Sequence, residues 1–230
     1  MRIISIAEKK LLDIFYKPLV LKYTSETRTY RYRHLKVDVH PGVFHPGLFY
    51  STKTLLFYLE KKEIKSKRLL ELGCGTGLIS IYASSKGAFV TATDINPAAI
   101  MNAGINYNQN STQINAGGGT IQILQSDLFN EVSDYKFDLI IVNPPYYRGK
   151  IKSERDYAWY AGENMEYFER FFSSVTHFLS GGSTCLMVLS DEVLESVNNI
   201  AGFYGVKLNE VFKRKVLLEI NRVYELSANA

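Results

Sequence analysis

The chain has 230 residues, 46% of them hydrophobic and 22% charged, with a formal net charge of +4. That balance suits a globular protein with a core of useful size, and it excludes disordered and collagen-like classes. No apolar run approaches the ~20 residues needed to cross a bilayer, and the opening MRIISIAEKKLLDIFYK is charged too often for a signal peptide, so a cytoplasmic protein is expected.

Residues 1–40 carry nine Lys or Arg against four Asp or Glu, while the remainder is close to neutral. This stretch reads as a basic N-terminal extension that could face an anionic partner, ahead of one catalytic-size domain over 41–230. Residues 9–23 are expected to be helical, interrupted at Pro18. RTYRYRHLKVDV (28–39) alternates as strands do, with Thr29, Arg31 and Arg33 on one face and Tyr30, Tyr32 and His34 on the other. STKTLLFYLEKKE reads as an amphipathic helix capped by Ser51 or Thr52.

From residue 67 strands and helices alternate. KRLLEL is a strand running into glycines, LISIYASSK a helix and AFVTATD a strand. PAAIMNAGINYNQ is a helix with Pro97 at its favoured first turn. TIQILQSD and FDLIIVN are strands. MEYFERFFSSVTHFL is a helix expected to close at Gly181 and Gly182. STCLMVLS is a strand, DEVLESVNNIAGFYG a helix, and VKLNEVFKR and NRVYELS a final hairpin. This order predicts an α/β fold: a seven-stranded, mostly parallel sheet with a terminal antiparallel hairpin and helices on both faces. Cys74 follows a glycine in a loop and Cys185 lies in an apolar strand, which argues for a reducing compartment and no disulfide framework. His34, His40, His45 and His177 have no ligand spacing, and no metal is expected.

LLELGCGTG places Glu71, Gly73, Cys74, Gly75 and Gly77 between a strand and a helix. Glycines admit close approach of a ligand to the backbone, and the helix start offers free N–H groups. Asp94 ends the next strand, placed to accept from two ribose hydroxyls. A dinucleotide fingerprint would space its third glycine differently, and a Walker loop would need a following Lys-Ser/Thr. The nucleoside ligand that remains is S-adenosylmethionine, which carries ribose and adenine but no phosphate.

The succession LELGCGTG, ATDINP, SDLF and DLIIVNPPY resembles the class I methyltransferases that use S-adenosylmethionine, over about residues 40–227. The resemblance implies a Rossmann-like fold. It implies that Glu71 and Gly73 to Gly77 line the methionine part of the cofactor and that Asp94 holds the ribose. Ile95 and Asn96 follow beside it, Asn96 near the adenine. Asp127 would meet the adenine amino group, with Leu128 against the ring. Read by itself, Asp127 is equally a cap for the segment LFNEV.

In IIVNPPYYRGK the two prolines stop a strand and stiffen the turn after it. An amide or exocyclic aromatic amine is a poor nucleophile but a good hydrogen-bond donor. The side-chain carbonyl of Asn143 and the backbone carbonyl of Pro144 can each accept one N–H, Pro145 holds the turn, and Tyr146 can stack on the planar group. Asn143 also borders the cofactor. The motif therefore selects planar NH₂ groups: adenine N6, cytosine N4, guanine N2 or a glutamine side chain.

VHPGVFHPGLFYSTKTLL resembles the segment that precedes the core in the HemK branch, which methylates glutamine in translation release factors. It implies pocket roles for Phe44, Pro46 and Thr52. DYAWYAGENMEYFERFF, with Trp159, resembles the segment after the catalytic motif in short HemK relatives, with Ala161 and Asn164 where glycines stand there. In YYRGKIKSERDY, Arg148, Lys150, Lys152 and Arg155 surround Tyr146 and Tyr147, an arrangement that also suits a nucleic-acid strand with a stacked base. The expected substrate is a protein glutamine in a release-factor-like partner. The alternative is a base in RNA or DNA, foremost adenine N6.

Overall fold

The computed structural model describes residues 20, 22–216 and 219–228. The helix expected over 9–23 lies outside them except for its last turn, where the Thr24 N–H donates to the Val20 carbonyl. β1 (Arg28–Tyr32) and β2 (Leu35–Val39) form an antiparallel hairpin. Arg33 and His34 are its turn and not a continuation of the strand pattern. Arg33 sits at φ 54°, where a non-glycine residue is strained. Glu60 holds it there with two bonds of 3.0 and 3.1 Å from the guanidinium and a third from the Tyr32 hydroxyl.

α1 (Tyr50–Leu59) follows, then β3 (Arg68–Leu72), α2 (Leu78–Ser85) and β4 (Phe89–Asp94). α3 (Pro97–Gln109), α4 (Ser111–Gly117), β5 (Thr120–Gln125) and β6 (Phe137–Val142) come next. α5 (Glu166–Val175), β7 (Leu179–Ser190), α6 (Leu194–Phe203), β8 (Val206–Val216) and β9 (Glu219–Ala228) complete the chain. The seven-stranded sheet has the order β5-β4-β3-β6-β7-β9-β8, with β9 antiparallel to both neighbours and the other pairs parallel.

Alternation along each central strand separates two apolar layers. Leu70, Leu72, Ile140, Val142, Met187 and Leu189 face α5 and α6. Leu69, Leu139, Ile141, Leu186 and Val188 face α1, α2 and the β1-β2 hairpin. α5 supplies Phe168, Phe171, Phe172 and Val175, the i, i+3, i+4, i+7 stripe of a helix with one buried face.

Two expected boundaries differ. α1 begins at Tyr50 with Phe49 as its uncapped N-cap, so Ser51 and Thr52 lie inside its first turn and are buried. α5 ends in a 3₁₀ turn, Thr176–Phe178, and Gly181 and Gly182 lie within β7. The ladder to β6 skips there, from Phe137↔Leu179 to Leu139↔Thr184. Gly182, at φ 86°, supplies the left-handed residue of that bulge.

The hairpin is tied to the domain by three asparagines one turn apart, two on α3 and the third, Asn110, at its C-cap. Asn102 accepts from His40 N–H, Asn106 from Asp38 N–H, and Asn110 from Lys36 N–H, each through Oδ1. Their amide nitrogens return bonds to the carbonyls of Asp38 and Lys36, and Asn106 also reaches the Thr76 carbonyl in the glycine loop. Asn106→Ala strands the partly buried Asp38 N–H and the buried Thr76 carbonyl. It is expected to destabilise the fold by about 2–3 kcal/mol in urea unfolding. A change near zero would refute the role of the ladder.

Candidate active site

The strand order reverses between β3 and β6, and ligands of open α/β sheets bind outside the strand ends at such a point. Leu72 is in register with Val142, so the glycine loop and Asn143 leave the sheet side by side. Above them lies a cleft of about 1290 Å³ bordered by Gly73, Asp94, Asp127, Asn143, Trp159 and Asn221 among others.

Gly73 and Gly75 have φ of 73° and 52°, and a Cβ added to either would meet no protein atom within 4 Å. Both border the cleft, so their lack of a side chain leaves room for a ligand against the backbone. Gly77 differs. It is the N-cap of α2, and its Cβ would stand 3.2 Å from the Ala103 Cβ. It lets α2 and α3 approach and does not border the cleft. Cys74 borders the cleft but packs against Ala92 and Ala103.

Asp94 is partly buried at the tip of β4. One carboxylate oxygen accepts from Gly75 N–H and the other from Asn96 N–H, each at 2.9 Å. Each oxygen keeps a lone pair for a ligand hydroxyl. Burial raises its pKa, opposed by those backbone bonds. Ile95 lines the cleft beside it. Asn96 borders the cleft too, but its amide is committed elsewhere: Oδ1 caps α3 at Ala98 N–H and Nδ2 donates to the Gly42 carbonyl.

Glu71 is buried, borders the cleft, and accepts from the Ser80 N–H and hydroxyl. Burial, and then the charge of Asp94, push its pKa up to about 8 against the Ser80 bonds. The folded protein thus keeps a proton that the unfolded chain loses near the ordinary 4.5. Between those values stability falls as pH rises, by up to about 1.4 kcal/mol per pH unit. Glu71→Gln is expected to remove that slope from denaturant titrations at pH 5 to 8. An unchanged slope would refute a protonated Glu71.

Asp127 pairs with Arg170 of α5 at 2.7 Å, so one of its oxygens already has a partner, and its side chain makes no cap. Leu128, at φ 52°, is a left-handed non-glycine residue at the cleft wall, a conformation that accumulates at functional sites. On the far side Phe44, Phe49 and Trp159 form an aromatic wall, with ring centroids 4.8 to 5.5 Å apart. Pro46 and Thr52 border the same space.

The Tyr146 hydroxyl lies 2.8 Å from Asn143 Oδ1, to which it donates, and 3.3 Å from the Val188 carbonyl. Its ring packs on the sheet core. Tyr146 therefore orients Asn143, a role that the stacking expectation did not contain. Pro144 and Pro145 line the cleft at the turn. The chain beyond is clamped to 159–162: Tyr147 N–H donates to the Trp159 carbonyl, Ala161 N–H to the Tyr147 carbonyl, and Gly149 N–H to the Gly162 carbonyl. Tyr147 is half exposed at the mouth. Arg148 does not border the cleft, because its guanidinium donates to the Ser196 hydroxyl.

Sequence reading missed Ser80, Phe49, Tyr167, Arg170 and Asn221. Phe49 stands in a visibly aromatic stretch and was within reach. Tyr167 and Arg170 lie on a helix whose apolar stripe says nothing about which flanking residue meets the cleft.

The family model of the methyltransferase small domain matches residues 34–224. A "Putative protein N5-glutamine methyltransferase" of Methanocaldococcus jannaschii is 33% identical over 162 residues, covering 68% of this chain and 76% of that protein. A tRNA1(Val) (adenine(37)-N6)-methyltransferase of Bacteroides fragilis is 28% identical over 148 residues, covering 61% of this chain and 60% of that one. A crystal structure of a methyltransferase from Pyrococcus furiosus superposes with a TM-score of 0.64 at 18% identity, over 95% of this chain and 98% of the other, which bears on the fold alone. The open backbone of Gly73 and Gly75 and the partly buried carboxylate of Asp94 fit a nucleoside cofactor without phosphate. The chain belongs to the methyltransferase small domain family, and its methyl donor is S-adenosylmethionine.

Proposed function

We propose that this enzyme methylates the side-chain amide nitrogen of a glutamine in a protein substrate. The observation that carries the reading is the Asn143 carboxamide, held by Tyr146 at the switch point with one lone pair of Oδ1 still free. The 33% identity to the archaeal relative over most of both chains supports glutamine among the planar NH₂ groups.

Bound S-adenosylmethionine supplies an electrophilic methyl group on a sulfonium sulfur. Asp94 would hold the ribose hydroxyls through its two remaining lone pairs. The glycine loop would lie along the methionine part, and Leu128 would lie against the adenine. Arg170 would hold Asp127 aimed across the cleft toward the adenine amino group. Asn143 Oδ1 and the Pro144 carbonyl would each take one N–H of the substrate amide, fixing the nitrogen in line with the methyl group. Alignment of this kind is worth about 7–11 kcal/mol of a barrier. Phe44, Phe49 and Trp159 would exclude water and pack on the substrate chain. A protein partner approaching the mouth meets Tyr147 and Lys150.

The test uses donor labelled on its methyl group, with protein, RNA and DNA fractions from the organism lacking this gene, and Asn143→Ala as control. Label on a protein glutamine, located by mass spectrometry, is expected. Label confined to RNA or DNA would replace the reading with a base methyltransferase, for which the exposed Tyr147 and the nearby lysines would be the stacking and phosphate contacts.

A further inference from the structure

Among the described residues, six buried side-chain atoms have no hydrogen-bond partner: His45 Nε2, Ser51 Oγ, Ser84 Oγ, Gln113 Oε1, Arg214 Nη1 and Asn221 Nδ2. Two of the six residues, Ser51 and Asn221, border the cleft. Their exposures are 2% and 4%. A buried donor left unpaired is destabilising and needs a reason to persist. Neither residue has a part in the cofactor contacts described above.

Their place in the fold suggests the reason. Asn221 is in register with Ser190 on β7. Two residues earlier on the same strand is Val188, whose carbonyl meets the Tyr146 hydroxyl that holds Asn143. β6 and β9 stand two strand spacings apart, about 9.6 Å, and Asn221 is displaced outward by about 6.6 Å along the strand. Asn143 and Asn221 both border the cleft, and this backbone separation is wide enough for a small planar group to lie between their side chains. Ser51 adds its hydroxyl from the first turn of α1, the helix that covers this part of the sheet.

We propose that Ser51 and Asn221 are specificity residues that clamp the carbonyl oxygen of the substrate carboxamide. The Ser51 hydroxyl and the Asn221 amide nitrogen would both donate to it, while Asn143 accepts from the NH₂ of the same group. This rests on the reading of Asn143 given above. A primary carboxamide answers the whole site: donors on one side of its plane meet acceptors, and its acceptor on the other side meets donors. A carboxylate side chain would lack the N–H groups that Asn143 requires.

The test is steady-state methyl transfer from labelled donor to the same protein, RNA and DNA fractions. Wild type is compared with Ser51→Ala, Asn221→Ala, the double variant and Asn221→Asp. Each alanine variant is expected to lose about 10- to 100-fold in kcat/KM. The double variant should lose less than the product of the two, because both donors serve one oxygen. Asn221→Asp keeps the shape and replaces a donor with an acceptor, and should lose at least as much as Asn221→Ala. Cofactor Kd by calorimetry should be unchanged, and Tm should not fall, because each alanine removes an orphaned polar atom. Wild-type label in nucleic acid alone would overturn the glutamine reading. Unchanged kcat/KM in both single variants, on whichever fraction the wild type labels, would overturn the clamp. A fall in Tm with activity retained would do the same, marking the pair as structural.

Discussion

Asn143→Ala is expected to lower kcat by about 100- to 1000-fold and to leave the Kd for S-adenosylmethionine within about threefold. Asn143 follows β6 at the switch point, and its Oδ1 is fixed by the Tyr146 hydroxyl at 2.8 Å. A fixed acceptor stabilises charge that develops on the attacking nitrogen without reorganising when the reaction occurs. Alanine removes that acceptor and also takes the 2.8 Å bond from the Tyr146 hydroxyl, which lies 3.3 Å from the Val188 carbonyl. Tyr146→Phe should fall between wild type and Asn143→Ala, since it frees the carboxamide to rotate but does not delete it. Single-turnover rates and calorimetric Kd values separate the two effects. If Asn143→Ala weakened cofactor binding and left the single-turnover rate intact, the catalytic assignment would fail.

Asp94→Ala should do the opposite, weakening cofactor binding by about 100- to 1000-fold. Hydrogen bonds to a charged group contribute about 1.5–3 kcal/mol each, and two to the ribose would account for that range. The substitution also frees the N–H groups of Gly75 and Asn96, so the glycine loop loses its anchor to β4. Asp94→Asn is an informative second variant. Each carboxylate oxygen accepts from a different backbone N–H, so an amide must turn its NH₂ toward one of them. A substantial loss is therefore expected from this nearly isosteric change. Full affinity in Asp94→Asn would show that the ribose is held elsewhere.

Much of this protein was legible in its sequence for a physical reason. Period-2 and period-3.6 patterns are local, and they give the strands KRLLEL, AFVTATD and FDLIIVN and the α5 stripe directly. Glycines and prolines report local backbone geometry, so the glycine loop and the Asn143 turn stood out as well. The methyltransferase family followed from those motifs in order. The tertiary structure alone decided what depends on pairing across long separations. It placed Leu72 beside Val142, Asn106 on the backbone of Asp38, and Arg170 on Asp127. It turned Gly77 to helix packing, Arg148 away from the cleft, and the Tyr146 hydroxyl onto Asn143. It also brought Ser51 and Asn221, 170 positions apart in the chain, to one cleft, where Ser51 Oγ and Asn221 Nδ2 lack hydrogen-bond partners. No local spacing encodes such meetings, because a side chain's partner is set by which strand ends and helix faces the sheet order brings together.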